Sequence, residues 1–486
     1  MGITTVTAAR ILKGQQLGLS GEEHQLSFDD FPNIALSKTY TIDSQVGDSG
    51  ACATALLNGV KARYETIGLD ENGFYEDCHS SFNSRVKSIA DWALEEGKAT
   101  GIVTTTRVTH ATPAALYAHS ASRYWESDDK LPPNARTQCK DIARQLVEEY
   151  PGRDLNVILG GGRRHFISAM DWSTQRPNEF GRRLDNRNLI DNWLRDKKDR
   201  DLKASYVKNK LEFDSLNTTH IDYLLGLFSH NHMAHEVDRE TDGPTGEPSL
   251  AEMTTKAIEV LRHNPNGYFL LVESGRIDHA HHLNNAKRAL VDTLALDEAI
   301  QAAIKLTHPS NTLLVVTADH SHVFTFGGSP KRGNHILGTD SKPSDVDSLH
   351  YTTLLYANGP GYTRKRINIS TVDTTINDYI QESAVPRRWD THGGEDVPVY
   401  AQGVNGHVFR GVVEQTFIPY AISYAACMGP FKWLCEKQLN RQQQQHLNNN
   451  NNCHKQCHNQ CLMPSSQQIP KPKSSPSYRN NNFYIT

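Results

Sequence analysis

The chain has 486 residues with 51 basic and 55 acidic side chains, a formal charge of −4. That balance disfavours a basic nucleic-acid-binding protein, and no apolar run reaches the roughly 18 residues of a membrane-spanning helix. Met1 to Arg10 has neither the basic start nor the apolar stretch of a signal peptide.

In chain order, Val46-Gly47-Asp48-Ser49-Gly50-Ala51 is a loop leading into a helical run, CATALLNGV. GIVTTT at 101–106 and NVILGGG at 156–162 are predicted strands. A helix over 249–262 precedes the strand YFLLVE at 268–273, and a second over 285–306 precedes TLLVVTADH at 312–320. YTTLLYA at 351–357 is a further predicted strand. Continuous apolar strands alternating with amphipathic helices predict an α/β fold: a mainly parallel sheet buried on both faces. In such sheets chemistry gathers at the carboxyl ends of the strands. Residues 328–391, rich in turns, proline and polar side chains, break the rhythm and are expected to form a surface insertion.

Near residue 438 the composition turns polar and repetitive, with RQQQQHLNNNNNCHKQCHNQC from Arg441 and a Pro/Ser/Lys stretch running to Thr486. Such sequence cannot bury enough apolar surface to offset its ordering entropy, so 438–486 is expected to be disordered. Cys453, Cys457 and Cys461 there, with His454 and His458, lack a second ligand pair at a fixed distance for zinc. The remaining cysteines are Cys52, Cys78, Cys139, Cys427 and Cys435, a count that leaves the redox compartment open. Asn217-Thr218-Thr219 and Asn368-Ile369-Ser370 are acceptor sequons for glycosylation.

The densest group of metal-ligating residue types closes two predicted strands. Strand 268–273 ends in Glu273 and runs into Asp278-His279-Ala280-His281-His282, while strand 312–318 runs into Asp319-His320-Ser321-His322. Asp278 and His282 are four apart, a spacing that puts both on one face of a helix. His392 stands in a Gly-rich loop, Thr391-His392-Gly393-Gly394-Glu395. Carboxylate with imidazole suits zinc, and an oxygen-only subset with Glu273 suits magnesium. Ser49, before a glycine at a loop-to-helix junction, is either a helix cap or a nucleophile in a cleft where helix N–H groups favour an anion. Arg107, His110, Thr112 and Arg123 follow strand 101–106. An arginine near a serine and metals can clamp phosphate bidentately. Gly160-Gly161-Gly162-Arg163-Arg164 lacks the spacing of any nucleotide fingerprint.

These residues carry a family resemblance. DSGACAT around Ser49, TTTRVTHATPAALYAH at 104–119, VESGRIDHAHH at 272–282, TADHSHVFTFGG at 317–328 and THGGEDVPVYAQG at 391–403 resemble animal-type alkaline phosphatase, over roughly residues 1–435. The resemblance implies a three-layer α/β sandwich, a homodimer, two Zn2+ and one Mg2+, and phosphate monoester hydrolysis through a phosphoserine at alkaline pH. Ser49 then resembles the nucleophile and Arg123 the phosphate clamp, held by Asp48. Asp278, His282 and His392 resemble the ligands of the first zinc. Asp319, His320 and Ser49 resemble those of the second, and Glu273 and Thr112 resemble magnesium ligands. His110 and His322 would orient ligands and waters around them. The same resemblance implies disulfides Cys78–Cys139 and Cys427–Cys435 and an extracellular or cell-surface location, in which the sequons would carry glycans at Asn217 and Asn368.

The sequence also departs from the family. Relatives carry a strand ending Leu-Gly-Asp whose aspartate serves the second zinc and magnesium, and this chain opens at Met1-Gly2 inside that motif. An impaired or non-catalytic relative is therefore the alternative expectation. Asn192 and Ser229 stand where calcium would need carboxylates, leaving only Phe228 and Glu247 suitable. Cys52 replaces a small residue, and the tail lacks the hydrophobic end of a GPI signal. On this reading residues 1–437 form the catalytic domain.

Overall fold

The computed structural model describes residues 1–170, 180–240, 246–434, 437 and, as backbone, 482–485. Its strands in chain order are β1 (Asn33–Lys38), β2 (Ala99–Arg107), β3 (Val157–Gly161), β4 (Ala204–Val207), β5 (Tyr223–Leu227), β6 (Tyr268–Glu273), β7 (Thr312–Val316), β8 (Ser321–His322), β9 (Phe324–Phe326), β10 (Leu354–Gly359), β11 (Ser383–Pro386), β12 (His392–Gly393), β13 (Val397–Gly403), β14 (Gly411–Glu414) and β15 (Asn482–Ile485). Ten of them form one sheet in the order β14-β1-β13-β7-β15-β6-β2-β3-β5-β4. The run from β7 to β4 is parallel throughout, while β13 lies antiparallel to both β7 and β1.

Alternation along the central strands explains the layers. Val103, Leu159, Leu270, Val272, Leu314 and Val316 join one core, under the helices Ile3–Gln16, Leu250–Leu261 and Ala286–Leu306. Their neighbours Ile102, Ile158, Phe269, Leu271, Leu313 and Val315 join the other, under Ser49–Asn58, Ile142–Glu148 and Phe417–Ala426. Consecutive side chains of a strand point to opposite faces, so an unbroken apolar strand feeds both cores. Each such side chain contributes about 1.5–3 kcal/mol when fully buried. The molecule is the expected three-layer sandwich.

One expectation is corrected. YTTLLYA does form β10, but in a separate three-stranded sheet, β11-β10-β9, rather than the main one. Hydrogen bonds from Asn285, Lys287 and Arg288 to the backbone of Asn377 and Thr375 fasten the loop between β10 and β11 to the start of the helix Ala286–Leu306. Of the tail only Asn482–Ile485 falls among the described residues, as β15, parallel to β6 on one side and β7 on the other. Between β6 and β7 lies a slot one strand wide. Two facing rows of backbone N–H and C=O groups there demand a partner, and a four-residue strand supplies it whatever the polarity of the sequence before it. The rest of 438–481, with the Cys453/Cys457/Cys461 tract, lies outside the described residues.

Cys78 and Cys139 are bonded, with Cα atoms 6.0 Å apart. Cys427 is disulfide-bonded, and Cys435, the partner expected for it, lies outside the described residues. Cys52 is a buried free thiol whose Sγ contacts the Thr39 carbonyl at 3.2 Å.

Candidate functional site

The carboxyl ends of β2, β6 and β7 open on one side of the sheet, and the chemistry-bearing residues converge there. Ser49 begins the helix Ser49–Asn58, and Asp48 caps it by accepting from Gly50 N–H at 2.8 Å and Ala51 N–H at 3.3 Å. Asp48 also accepts from Glu65 N–H at 2.9 Å and from Arg123 Nη1 at 3.1 Å. The cap is thus Asp48, which leaves the Ser49 hydroxyl free to point inward, 3.1 Å from His320 Nε2. Burial lowers the Arg123 pKa, but Asp48 more than offsets this and keeps the guanidinium charged.

Asp278 and His282 share a face of the helix Arg276–His282, as their spacing predicted. Asp278 Oδ1 lies 2.7 Å from His322 Nε2, 3.3 Å from His392 Nε2 and 3.4 Å from His282 Nε2. The Nε2 atoms of His282 and His392 are 3.3 Å apart. Their other nitrogens are spoken for: His282 Nδ1 faces the Asp390 carbonyl at 2.9 Å and His392 Nδ1 the Gly47 carbonyl at 2.8 Å. A carbonyl only accepts, so each Nδ1 carries a proton, and Nε2, the atom turned to Asp278, is the one that could offer a lone pair to a metal. Without an ion, Asp278 and Asp390 push the His282 pKa up to about 9 against the pull of burial. His322 differs. Its two nitrogens meet two carboxylates, Asp278 at 2.7 Å and Asp390 Oδ1 at 2.8 Å. Burial pulls its pKa down, but the two aspartates outweigh that and raise it. In the same way burial would lift Asp278, yet His282 and His322 hold it well below the usual carboxylate range.

The next subsite adjoins the first, with the His320 and His392 rings stacked at 3.5 Å. His320 Nε2 faces Ser49 Oγ and Asp319 Oδ2, both at 3.1 Å, while Nδ1 faces the Ser321 carbonyl at 3.2 Å. Met1 reaches the same place, its amino group donating to the His320 carbonyl at 3.0 Å. Glu273, at the end of β6, accepts from Thr104 at 2.5 Å and Thr106 at 3.2 Å, and also from Thr112. Burial with only hydroxyl partners pushes its carboxyl up to about 7.

The sequence-predicted residues Ser49, Asp48, Arg123, Asp278, His282, His392, Asp319, His320, Glu273, Thr112, His110 and His322 therefore all fall in one neighbourhood. Asp390, Thr104 and Thr106 were missed, since a lone aspartate in a loop and threonines within a strand look like ordinary caps and strand formers. His232 was missed too. It comes from the loop after β5 and joins His110 and His279 in a second imidazole group. At the site considered for calcium, Glu247 is already engaged by Ala234 N–H at 2.8 Å and by Ser229.

A serine at a helix N-terminus, a guanidinium and a carboxylate–imidazole cluster at the carboxyl edge of a doubly wound sheet define a hydrolytic α/β enzyme. A family model described as alkaline phosphatase matches residues 1–428, and the chain belongs to that family. It is 50% identical over 442 residues to the tissue-nonspecific alkaline phosphatase of Gallus gallus, covering 90% of this chain and 84% of that one. Against the alkaline phosphatase of Gadus morhua it is 49% identical over 438 residues, 88% and 90% of the two chains. The alkaline phosphatase of the Antarctic bacterium TAB5 shares the fold with a TM-score of 0.59 at 22% identity, over 89% and 95% of the chains. A variant of that bacterial enzyme carries Mg in its M3 site. The chain is a phosphoric monoester hydrolase by family, and these likenesses lend no support to a non-catalytic relative.

Proposed function

We propose that the protein hydrolyses phosphate monoesters through a covalent phosphoserine at Ser49, with divalent metals as cofactors and an alkaline pH optimum. The observation that carries this is the set of imidazole nitrogens and carboxylate oxygens converging beside Ser49. His282, His392 and His320 each have Nδ1 against a backbone carbonyl and Nε2 turned to a carboxylate oxygen. That donor set fits zinc, which takes imidazole nitrogen and carboxylate oxygen at short range. Asp278, His282 and His392 would hold one zinc, and Asp319, His320 and Ser49 a second. Glu273 and Thr112, an oxygen-only pair, would contribute to a magnesium site. Bound there, the ions supply the charge that lowers the pKa of an oxygen nucleophile and offsets charge on the transferring phosphoryl group.

The protein's own groups do the rest. Arg123, tethered by Asp48, holds two non-bridging phosphate oxygens. Ser49 Oγ attacks phosphorus as the bond to the leaving alcohol oxygen breaks, and water then cleaves phosphoserine to serine and inorganic phosphate. His322, locked between Asp278 and Asp390, keeps the Asp278 carboxylate in place. None of these groups addresses the leaving alcohol, so broad monoester specificity follows. A homodimer, a second disulfide between Cys427 and Cys435, glycans on Asn217 and Asn368, and an extracellular or cell-surface location belong to the same reading. The Cys78–Cys139 disulfide supports an oxidising compartment.

Trapping with labelled phosphate at low pH, followed by peptide mapping, tests the proposal. Label is expected on Ser49, with turnover lost in Ser49→Ala. Label on another residue, or full turnover by that variant, would end it.

A further inference from the structure

His232 serves no role in the mechanism above, yet its placement is closely specified. Met233 N–H donates to the Thr105 carbonyl at 3.0 Å and Gly162 N–H to the Asn231 carbonyl at 2.7 Å, which fixes the loop on both sides of it. Its ring packs edge-on against His279, with centroids 4.2 Å apart, and against His110 at 5.2 Å. His110 and His279 are themselves 5.3 Å apart. Three converging imidazoles suggest a metal, and the hydrogen bonds argue against one. A neutral imidazole has a single accepting lone pair, and arginine only donates. Arg123 Nη2 meets His110 Nε2 at 3.3 Å, and Arg276 Nη1 meets His279 Nδ1 at 2.9 Å. Arg107 offers its backbone N–H to His232 Nδ1 at 3.2 Å and its guanidinium to Nε2. Whichever nitrogen accepts, the lone pair of each ring is committed to an arginine.

We infer that His232 is a positioning residue for the phosphate clamp: anchored by Arg107, it braces the His110 ring whose Nε2 holds Arg123. Arg107 is itself fixed, donating to both carboxylate oxygens of Glu126 at 2.7 and 2.6 Å. Arg123 is thus held on two sides, by Asp48 through Nη1 and by His110 through Nη2. A guanidinium fastened at one nitrogen still swings; fastened at two, it presents its remaining donors in one orientation, which is what bidentate recognition of phosphate requires. The inference rests on the proposed role of Arg123 and extends it to a residue that touches neither substrate nor metal.

The test is a double-mutant cycle on the full chain supplied with zinc and magnesium, reading inhibition of nitrophenyl phosphate hydrolysis by inorganic phosphate. His232→Ala and His232→Asn are compared; the asparagine retains an acceptor for Arg107 N–H and so guards the fold. Both are expected to weaken phosphate inhibition about fivefold to twentyfold, and to raise KM more than they lower kcat. In an Arg123→Ala background the same changes are expected to add less than about twofold, because the group they act through is gone. Additive effects in that background, phosphate inhibition at the parent level in both His232 variants, or loss of a bound zinc from either would overturn the inference. Arg123→Ala with the parent's phosphate inhibition would instead remove the reading of Arg123, and the inference with it.

Discussion

Two groups of imidazoles stand side by side in this molecule and are built to opposite ends. In the group around Asp278, the outward nitrogen of His282 and of His392 donates to a carbonyl, so Nε2 is turned inward beside the carboxylate, where an ion would find both. In the group of His110, His232 and His279, an arginine donor meets every ring and takes the lone pair away. Burial depresses the basicity of all three rings in the second group, His279 to about 3, and leaves them neutral in both function and name. Clustering of histidines alone therefore does not make a metal site. The group behind each ring decides whether it is a ligand or a bracket.

The largest expected effect comes from breaking the first group at its shared oxygen. Asp278→Ala removes the atom on which three Nε2 atoms converge, and should cost at least about 10³-fold in turnover together with a bound zinc. The matching change in the second group, His232→Ala, should leave the zinc content alone. Metal analysis of the two purified variants checks both halves at once. Equal zinc loss from both would erase the distinction between the groups.

A smaller effect is expected from the groups behind the rings. Asp390 receives His322 at Oδ1 and His282 at its carbonyl, and so orients two rings without meeting Asp278 itself. Asp390→Asn should weaken zinc binding by about 10- to 100-fold while sparing the fold, the range typical of outer partners of metal ligands. Competition with a chromophoric chelator measures it. Unchanged affinity would mean that the carbonyls alone set the ring orientation.

These contrasts also mark what could be read in the sequence. Ser49, Glu273, Asp278, Asp319 and His320 were legible because each sits at or just past the end of an apolar strand or at the start of a helix, His282 because it lies four residues from Asp278, and His392 because it stands in a Gly-rich loop. Asp390 and His232 were not, because their roles exist only through contacts that loops make with residues far away in the chain, partners unmarked by spacing. The parallel strands β2, β3, β6 and β7 were legible from unbroken apolar runs. The antiparallel neighbour β13 and the tail strand β15 were not: VPVYAQG carries a proline and ends polar, and β15 follows a tract whose composition speaks only of disorder. That last strand is defined by its pairing with β6 and β7, which its own segment's composition does not announce.

The mildest contrast concerns how the bracket is held at low pH. Glu126 is buried at the base of the second group, bonded by Arg107 Nε and Nη2 and by Thr109. Burial alone would raise its pKa, but His165 and Arg107 outweigh it and bring it to about 2, against about 4.5 for an unperturbed glutamate. A carboxylate whose folded pKa is depressed binds fewer protons folded than unfolded, so its contribution is complete above pH 4.5 and is lost as pH falls towards 2. That shift corresponds to about 3 kcal/mol, buried as the group is. Glu126→Gln leaves Arg107 without its counter-charge and should lower stability at neutral pH, while removing this one titration from the acid limb. Denaturant unfolding of the parent and variant at a series of pH values between 5 and 2.5 separates the two consequences. The parent should lose stability relative to the variant as pH drops, and the two curves should approach each other. Parallel curves across that range would show that Glu126 does not titrate there, and that Arg107 is held by something other than its charge.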